Sequence, residues 1–408
     1  MIPRPDLRGD HSPAGIEVFQ LTDDPALPSC HLYMEAQIFT PDSKSLLLHR
    51  SSHAHGSDKN DPRHVYQVCD VESGSLLSIT EEVGCTAPSV SPDGKTVYYF
   101  VNETELNGGR LTLKRVNLDG SGRETIMVVD SPLPGTTFRP SKIYSLSTIS
   151  SDGKRMALSA FFGDGRTERA PWGMMVFDLE RATVNEIIHG VSWCNMHPQY
   201  CRSLDPEASH DILIQENHDC EYDATGMITL LVGGVGADIH LIRDDGRNFR
   251  NLPWGRDGNE YCQGHQCWIG RSRRAITSTG TKQPAECQLI EGLEATYAGH
   301  IGIATPGGIR GDLSRSFTNP QFYHFATDIA GVKFITDSGP LDNGGGIYAA
   351  DLPEEMGALE RITYLLNPRC SWQKGSHVHP FLSPDGKTGF FNSDESGTLQ
   401  AYMVRMGG

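Results

Sequence analysis

Short apolar runs rich in β-branched and aromatic residues follow tight polar turns of one design along the whole chain. Thr40-Pro-Asp42-Ser-Lys, Ser91-Pro-Asp93-Gly-Lys, Ser151-Asp152-Gly-Lys and Ser383-Pro-Asp385-Gly-Lys each place Asp, and in three cases Gly, where the backbone must reverse. Each is followed by a run suited to a β-strand, such as Thr-Val-Tyr-Tyr-Phe after Lys95. Weaker copies begin at Asp205, at Ile269-Gly-Arg271 and at Thr327-Asp328. From Asp42 through Asp93, Asp152, Asp205, Arg271 and Asp328 to Asp385 the steps are 51, 59, 53, 66, 57 and 57 residues, which makes seven units.

Second hairpin signals lie between these turns, at Val65 to Gly74, Leu113 to Gly122, Met174 to Glu180, Ile239 to Gly246 and Ile347 to Leu352. Each unit therefore carries about four short strands, the content of one propeller blade. A strand left over at Ile16 to Thr22 predicts its own place, beside the last blade, closing the ring. The expected fold is all-β: residues 1–408 as a single seven-bladed β-propeller without linker or second domain.

Composition agrees with that pattern. Forty-four Gly, 24 Pro and 38% hydrophobic residues suit a turn-rich β protein. A formal charge of −16 argues against nucleic acid and anionic membranes as partners, since both need a basic surface. No apolar run is long enough to span a bilayer, and the N-terminus lacks the apolar core of a secretory signal. Ten cysteines form no CxxC and no regular framework, so reduced thiols and a cytoplasmic address are expected. Oligomeric state is expected to be monomer or weak homo-oligomer.

In a propeller the strand before each Asp-Gly turn lines the central channel. Reading back from the turns finds His31 in the first unit, His197 in the fourth, His265 in the fifth, His324 in the sixth, and His377 and His379 in the seventh. At β spacing His377 and His379 share a face while Val378 points the other way. Imidazoles converging at one channel mouth suit Zn, Mn, Fe, Co or Ni. The polar segment from Ser51 to Arg63, with His53 and His55, is expected to be a solvated loop of the first unit, with a metal role as the alternative. Neither a Gly-x-Ser-x-Gly elbow nor a phosphate-binding loop is present; the run Val232-Gly-Gly-Val-Gly-Ala is expected to be hairpin or loop, and Arg271-Ser-Arg-Arg274 a solvated turn.

The seven-unit repeat, Cys30-His31, His265-Gln-Cys-Trp268, His324 and His377-Val-His379-Pro together resemble the oligogalacturonate lyases of polysaccharide lyase family 22. The resemblance runs from Gln20-Leu-Thr-Asp to the end of the chain. It implies a cytoplasmic seven-bladed propeller that binds Mn²⁺ and cleaves short pectin fragments by β-elimination. It makes His265 the base and His324, His377 and His379 metal ligands. The family's fourth ligand, a Gln, falls on Lys374, so Gln373 is expected in that role through a one-residue bulge. The family's catalytic Arg falls on or near Asp238, and an acidic residue cannot replace a guanidinium facing a carboxylate. Asn217-His218 also departs from the family pattern. Arg202 or Arg256 is the expected substitute cation, and His31, His197, Arg202 and His218 are the expected substrate contacts. A short uronate-containing oligosaccharide is the expected substrate. A different uronate or modified sugar, and a non-catalytic scaffold propeller, are the alternatives the sequence leaves open.

Overall fold

In the computed structural model, residues 1–33, 36–231, 236–254, 260–281, 300–314, 322–338, 345–373 and 375–407 are described. The sequence's Gly-rich run at 232–235, Arg256 and Lys374 lie outside them. Among the described residues, six four-stranded antiparallel sheets and one five-stranded sheet follow in chain order, forming a seven-bladed β-propeller. Blade one is typical: Ser29–His31 lies innermost, then Ser45–Arg50, Val65–Asp70 and, outermost, Leu76–Ser78. Blade four inserts a small hairpin, Glu221–Tyr222 with Ile228–Leu230, between its second and third strands.

The repeated turns work by one device. A hydroxyl donates to an Asp two residues on, the Asp accepts the backbone N–H of the following Lys, and the hydroxyl accepts an N–H further along. In blade seven Ser383 Oγ donates to Asp385 (2.6 Å), which accepts from Lys387 N (3.1 Å), while Thr388 N donates to Ser383 Oγ (3.0 Å). Blade two repeats these contacts with Ser91, Asp93, Lys95 and Thr96. The glycine is needed there because the turn demands a left-handed backbone, φ +69° at both Gly94 and Gly386; in blade one Ser43 takes that conformation at φ +62°.

The first residues close the ring. Glu17–Gln20 pairs antiparallel with Gln400–Arg405, with Val18 opposite Val404. Val18 and Val404 join Phe391 and Tyr402 in one buried cluster, so closure removes a sheet edge and buries apolar surface together. A further edge strand, Ile2–Pro3, pairs outside it, which the sequence pattern did not predict.

The innermost strands run from one channel mouth to the other, ending at the turns. Left-handed residues recur at one level of the channel: Ala87 (φ +48°), His265 (φ +56°) and His379 (φ +44°), each six positions ahead of Asp93, Arg271 and Asp385. Register shifts accompany them between Thr86 and Ser89 and between Gly264 and Cys267. These bulges re-aim side chains into the channel. His377 to His379 is consequently not a regular strand; the innermost strand of blade seven is Phe381–Leu382 alone. The nine described cysteines are all buried, and none forms a disulfide with another described residue. No described helix is long and apolar enough to cross a membrane.

Candidate metal centre and channel mouth

At the mouth where the inner strands begin, imidazoles from four blades meet. The rings of His377 and His379 have centroids 5.3 Å apart, His324 lies 5.8 and 4.5 Å from them, and His265 lies 4.6 Å from His324. His377 and His379 do come together, as their spacing suggested, but through a left-handed bend at His379 rather than through strand pleat. Val378 faces the core, wholly buried, and its carbonyl accepts from Asn392 N at 2.9 Å.

His55 is a ligand candidate that sequence reasoning had ranked behind a solvated loop. The segment expected to be a solvated loop crosses from blade one over the mouth: Ala54 N donates to Gly375 O (2.9 Å) in blade seven, and Ser145 Oγ in blade three donates to His55 O (2.8 Å). Donor nitrogens of His55, His377 and His379 lie within 4.8 Å of one another. An ion about 2.1 Å from each nitrogen separates its ligands by at most about 4.2 Å, so a movement of less than about 1 Å completes the site. Gln373, the expected fourth ligand, is exposed.

Hydrogen bonding sets which nitrogen of each ring is free. A carbonyl can only accept, so His265 Nδ1 carries the proton it donates to Tyr323 O (3.1 Å), leaving the Nε2 lone pair available. His324 Nδ1 donates to Asp337 Oδ2 (2.8 Å), and the other Asp337 oxygen accepts the His324 backbone N–H (2.8 Å). Both side chains are buried, and this carboxylate fixes the tautomer that presents Nε2 to the cluster. Both ring nitrogens of His379 and Nδ1 of His377 are buried without a hydrogen-bond partner among the described residues. Orphaned buried nitrogens cost free energy unless an ion or donor completes them, and a divalent cation fits this donor set.

Burial keeps these rings in the neutral, ligating form. His324 and His379 are pushed well below the usual imidazole range, first by burial and then by neighbouring imidazoles. The same causes take His265 to about 3, and His55 to about 3 although its outer edge meets solvent. Asp337→Asn is expected to weaken divalent-cation affinity about 10- to 100-fold by loosening the His324 tautomer, measured by competition with a chelating dye.

The expected substrate contacts fare unevenly. His31 is 1% exposed; its Nδ1 donates to Leu32 O, and its Nε2 is buried without a partner among the described residues. His197 is buried, with Tyr144 Oη 3.0 Å from its Nε2. His218 is half-buried in blade four and pairs with Asp238, Nε2 to Oδ2 at 2.8 Å. Arg202 is not brought to this mouth: it sits beside the turns, at the other end of the channel, and lines a cavity there with Pro92 and Pro384. Trp268, three residues after His265, turns away from it and donates its Nε1 proton to Gln199 O (3.0 Å), while Tyr323 and His324 flank His265.

No protein-family model matches the chain, and no protein of curated function matches it by sequence. Solved structures do. An oligogalacturonate lyase from Vibrio parahaemolyticus superposes with TM-score 0.70 at 18% identity, covering 97% of this chain and 95% of that one. An oligogalacturonate lyase in complex with manganese gives TM-score 0.70 at 17% identity, covering 100% and 97%. A prolyl endopeptidase matches less well, at TM-score 0.51 and 11% identity over 89% of this chain and 49% of that one.

Proposed function

Starting from that full-length likeness to two oligogalacturonate lyases, we propose that this protein is a divalent-cation-dependent lyase that cleaves short uronate-containing oligosaccharides by β-elimination. The carrying observation is the cluster of unpartnered imidazole nitrogens beside His265, whose own Nε2 is free to take a proton. His55, His324, His377 and His379 would hold the cation, with manganese favoured by the manganese-bound relative. Bound there, a divalent cation supplies Lewis-acid neutralisation of the uronate carboxylate, worth several kcal/mol in acidifying the adjacent C5–H.

The chain's own groups supply the rest. His265 Nε2 accepts the C5 proton while Tyr323 O holds the opposite side of the ring, so the base cannot rotate away. Electrons from the C5–H bond form the C4–C5 double bond as the C4–oxygen bond breaks, and the departing oxygen keeps that bond's electron pair and takes a proton from water. Asp337 keeps His324 aimed at the cluster, and Tyr33, with its ring 4.5 Å from His379, walls the site from blade one. Because Asp238 pairs with His218 where the family has Arg, a uronate other than oligogalacturonate is the favoured second reading.

The test is metal analysis of purified protein together with absorbance of the unsaturated product on a panel of acidic oligosaccharides, with and without chelator. Product that appears only with cation supports the proposal. A protein free of transition metal whose properties are unchanged by His324→Ala would instead be a scaffold. His55→Ala is expected to weaken cation binding at least tenfold, and Gln373→Ala to leave it unchanged, by titration calorimetry.

A further inference from the structure

The second mouth of the channel is a different environment. Residues at or beside all seven turns enclose a cavity of about 230 Å³, with Ile38, Phe39 and Phe381 among its apolar wall. Polar side chains in that wall are already engaged. Gln37 donates to Ile149 O and accepts from Ile149 N, each at 2.7 Å; Ser151 Oγ donates to Ser203 O (2.6 Å); Thr327 Oγ1 donates to Trp268 O (3.0 Å).

Two lining groups are not engaged. Arg202 of blade four and Arg271 of blade five have no side-chain hydrogen bond or ion pair with any described residue, in a chain where 51 acidic residues outnumber 35 basic ones. Arg202 shows part of its surface to the cavity, yet the surrounding atoms crowd it enough to weaken its hold on its proton. Among the described residues Asp328 is the only carboxylate that acts on it noticeably, and Asp328 Oδ1 accepts from Val332 N and Lys333 N, each at 2.8 Å. A guanidinium held against apolar wall is costly unless an anion completes it.

We propose that this cavity binds a small organic carboxylate with a compact apolar body, the carboxylate on the Arg202 fork and the body against the apolar wall. The fork geometry suits a carboxylate bound through both oxygens. A uronate fits less well, because its hydroxyls would face a wall whose glutamine, serine and threonine side chains already bond elsewhere. The site stands apart from the histidine mouth and does not depend on the lyase reading.

Benzoate, benzyl alcohol and galacturonate are the probes, titrated into the full-length protein by calorimetry, with and without chelator. Benzoate is expected to bind one to one, at least about tenfold tighter than benzyl alcohol, with or without chelator. Arg202→Met is expected to remove that preference while leaving cation content unchanged. Equal affinity for acid and alcohol, loss of benzoate binding on chelation, displacement by galacturonate, or undiminished affinity in Arg202→Met each overturns the proposal. The comparison of acid with alcohol uses the unsubstituted protein, so it decides the matter even where the variant fails to fold.

Discussion

Replacing His265 with alanine is expected to lower the rate of unsaturated-product formation about a thousandfold while the bound cation stays in place. General-base catalysis by a positioned side chain contributes roughly 10²- to 10⁴-fold. His265 donates from Nδ1 to the Tyr323 carbonyl, which leaves the Nε2 lone pair without a competing partner among the described residues. Its centroid is 4.6 Å from His324, close enough to share a substrate with the cation site. The donor nitrogens that converge are those of His55, His377 and His379, so the cation does not need His265. His379→Ala should behave differently, losing cation and product together. If His265→Ala lost its cation as well, the ring would be a ligand and the proton acceptor would have to be sought elsewhere.

Much of this arrangement was legible in the sequence alone. The hydroxyl–Asp turns announce themselves because the device is local: three side-chain contacts within six residues define it, so the same letters recur at each blade. The closing strand was legible because Ile16 to Thr22 is a strand with no partner inside its own unit. His324, His377 and His379 were legible because position relative to a turn fixes which mouth a residue faces. That rule also carried the signal that was overlooked for Arg202. It lies three residues before Asp205, whereas His265 lies six before Arg271, and the shorter distance places it at the turn mouth.

His55 was not legible in that way. Its place depends on a backbone bond from Ala54 to Gly375, more than 300 residues away in sequence, and no local periodicity encodes such a contact. The bulges were hidden for a related reason. A left-handed His265 or His379 is unfavourable on local propensity and persists only because the surrounding blade determines it. Strained backbone at two of the site's histidines is itself what a functional mouth would show.

Stripped of cation, the protein is expected to lose stability steeply on acidification from pH 7 to pH 4. A histidine in the unfolded chain takes its proton near pH 6.5, but burial pushes folded His31 down to about 4. Between those values the unfolded state binds a proton that the folded state does not, so stability is fully present above about pH 6.5 and declines as pH falls toward 4. At 1.36 kcal/mol per unit, the His31 gap corresponds to about 3 kcal/mol, a large share of the roughly 5–15 kcal/mol a folded protein has. His49 adds in the same direction, pushed well below its usual range by burial, with its Nε2 3.0 Å from the Cys30 thiol. Carboxylates with lowered pKa act in a separate window, below about pH 4, so the two effects can be resolved. Urea unfolding at half-unit pH intervals in chelator measures the slope. His31→Gln should reduce it by about 1.4 kcal/mol per pH unit between pH 6 and 4.5. A midpoint that stays level across that interval would mean that these rings are hydrated in solution, and with it the dry, neutral imidazole cluster that the cation site requires would be lost.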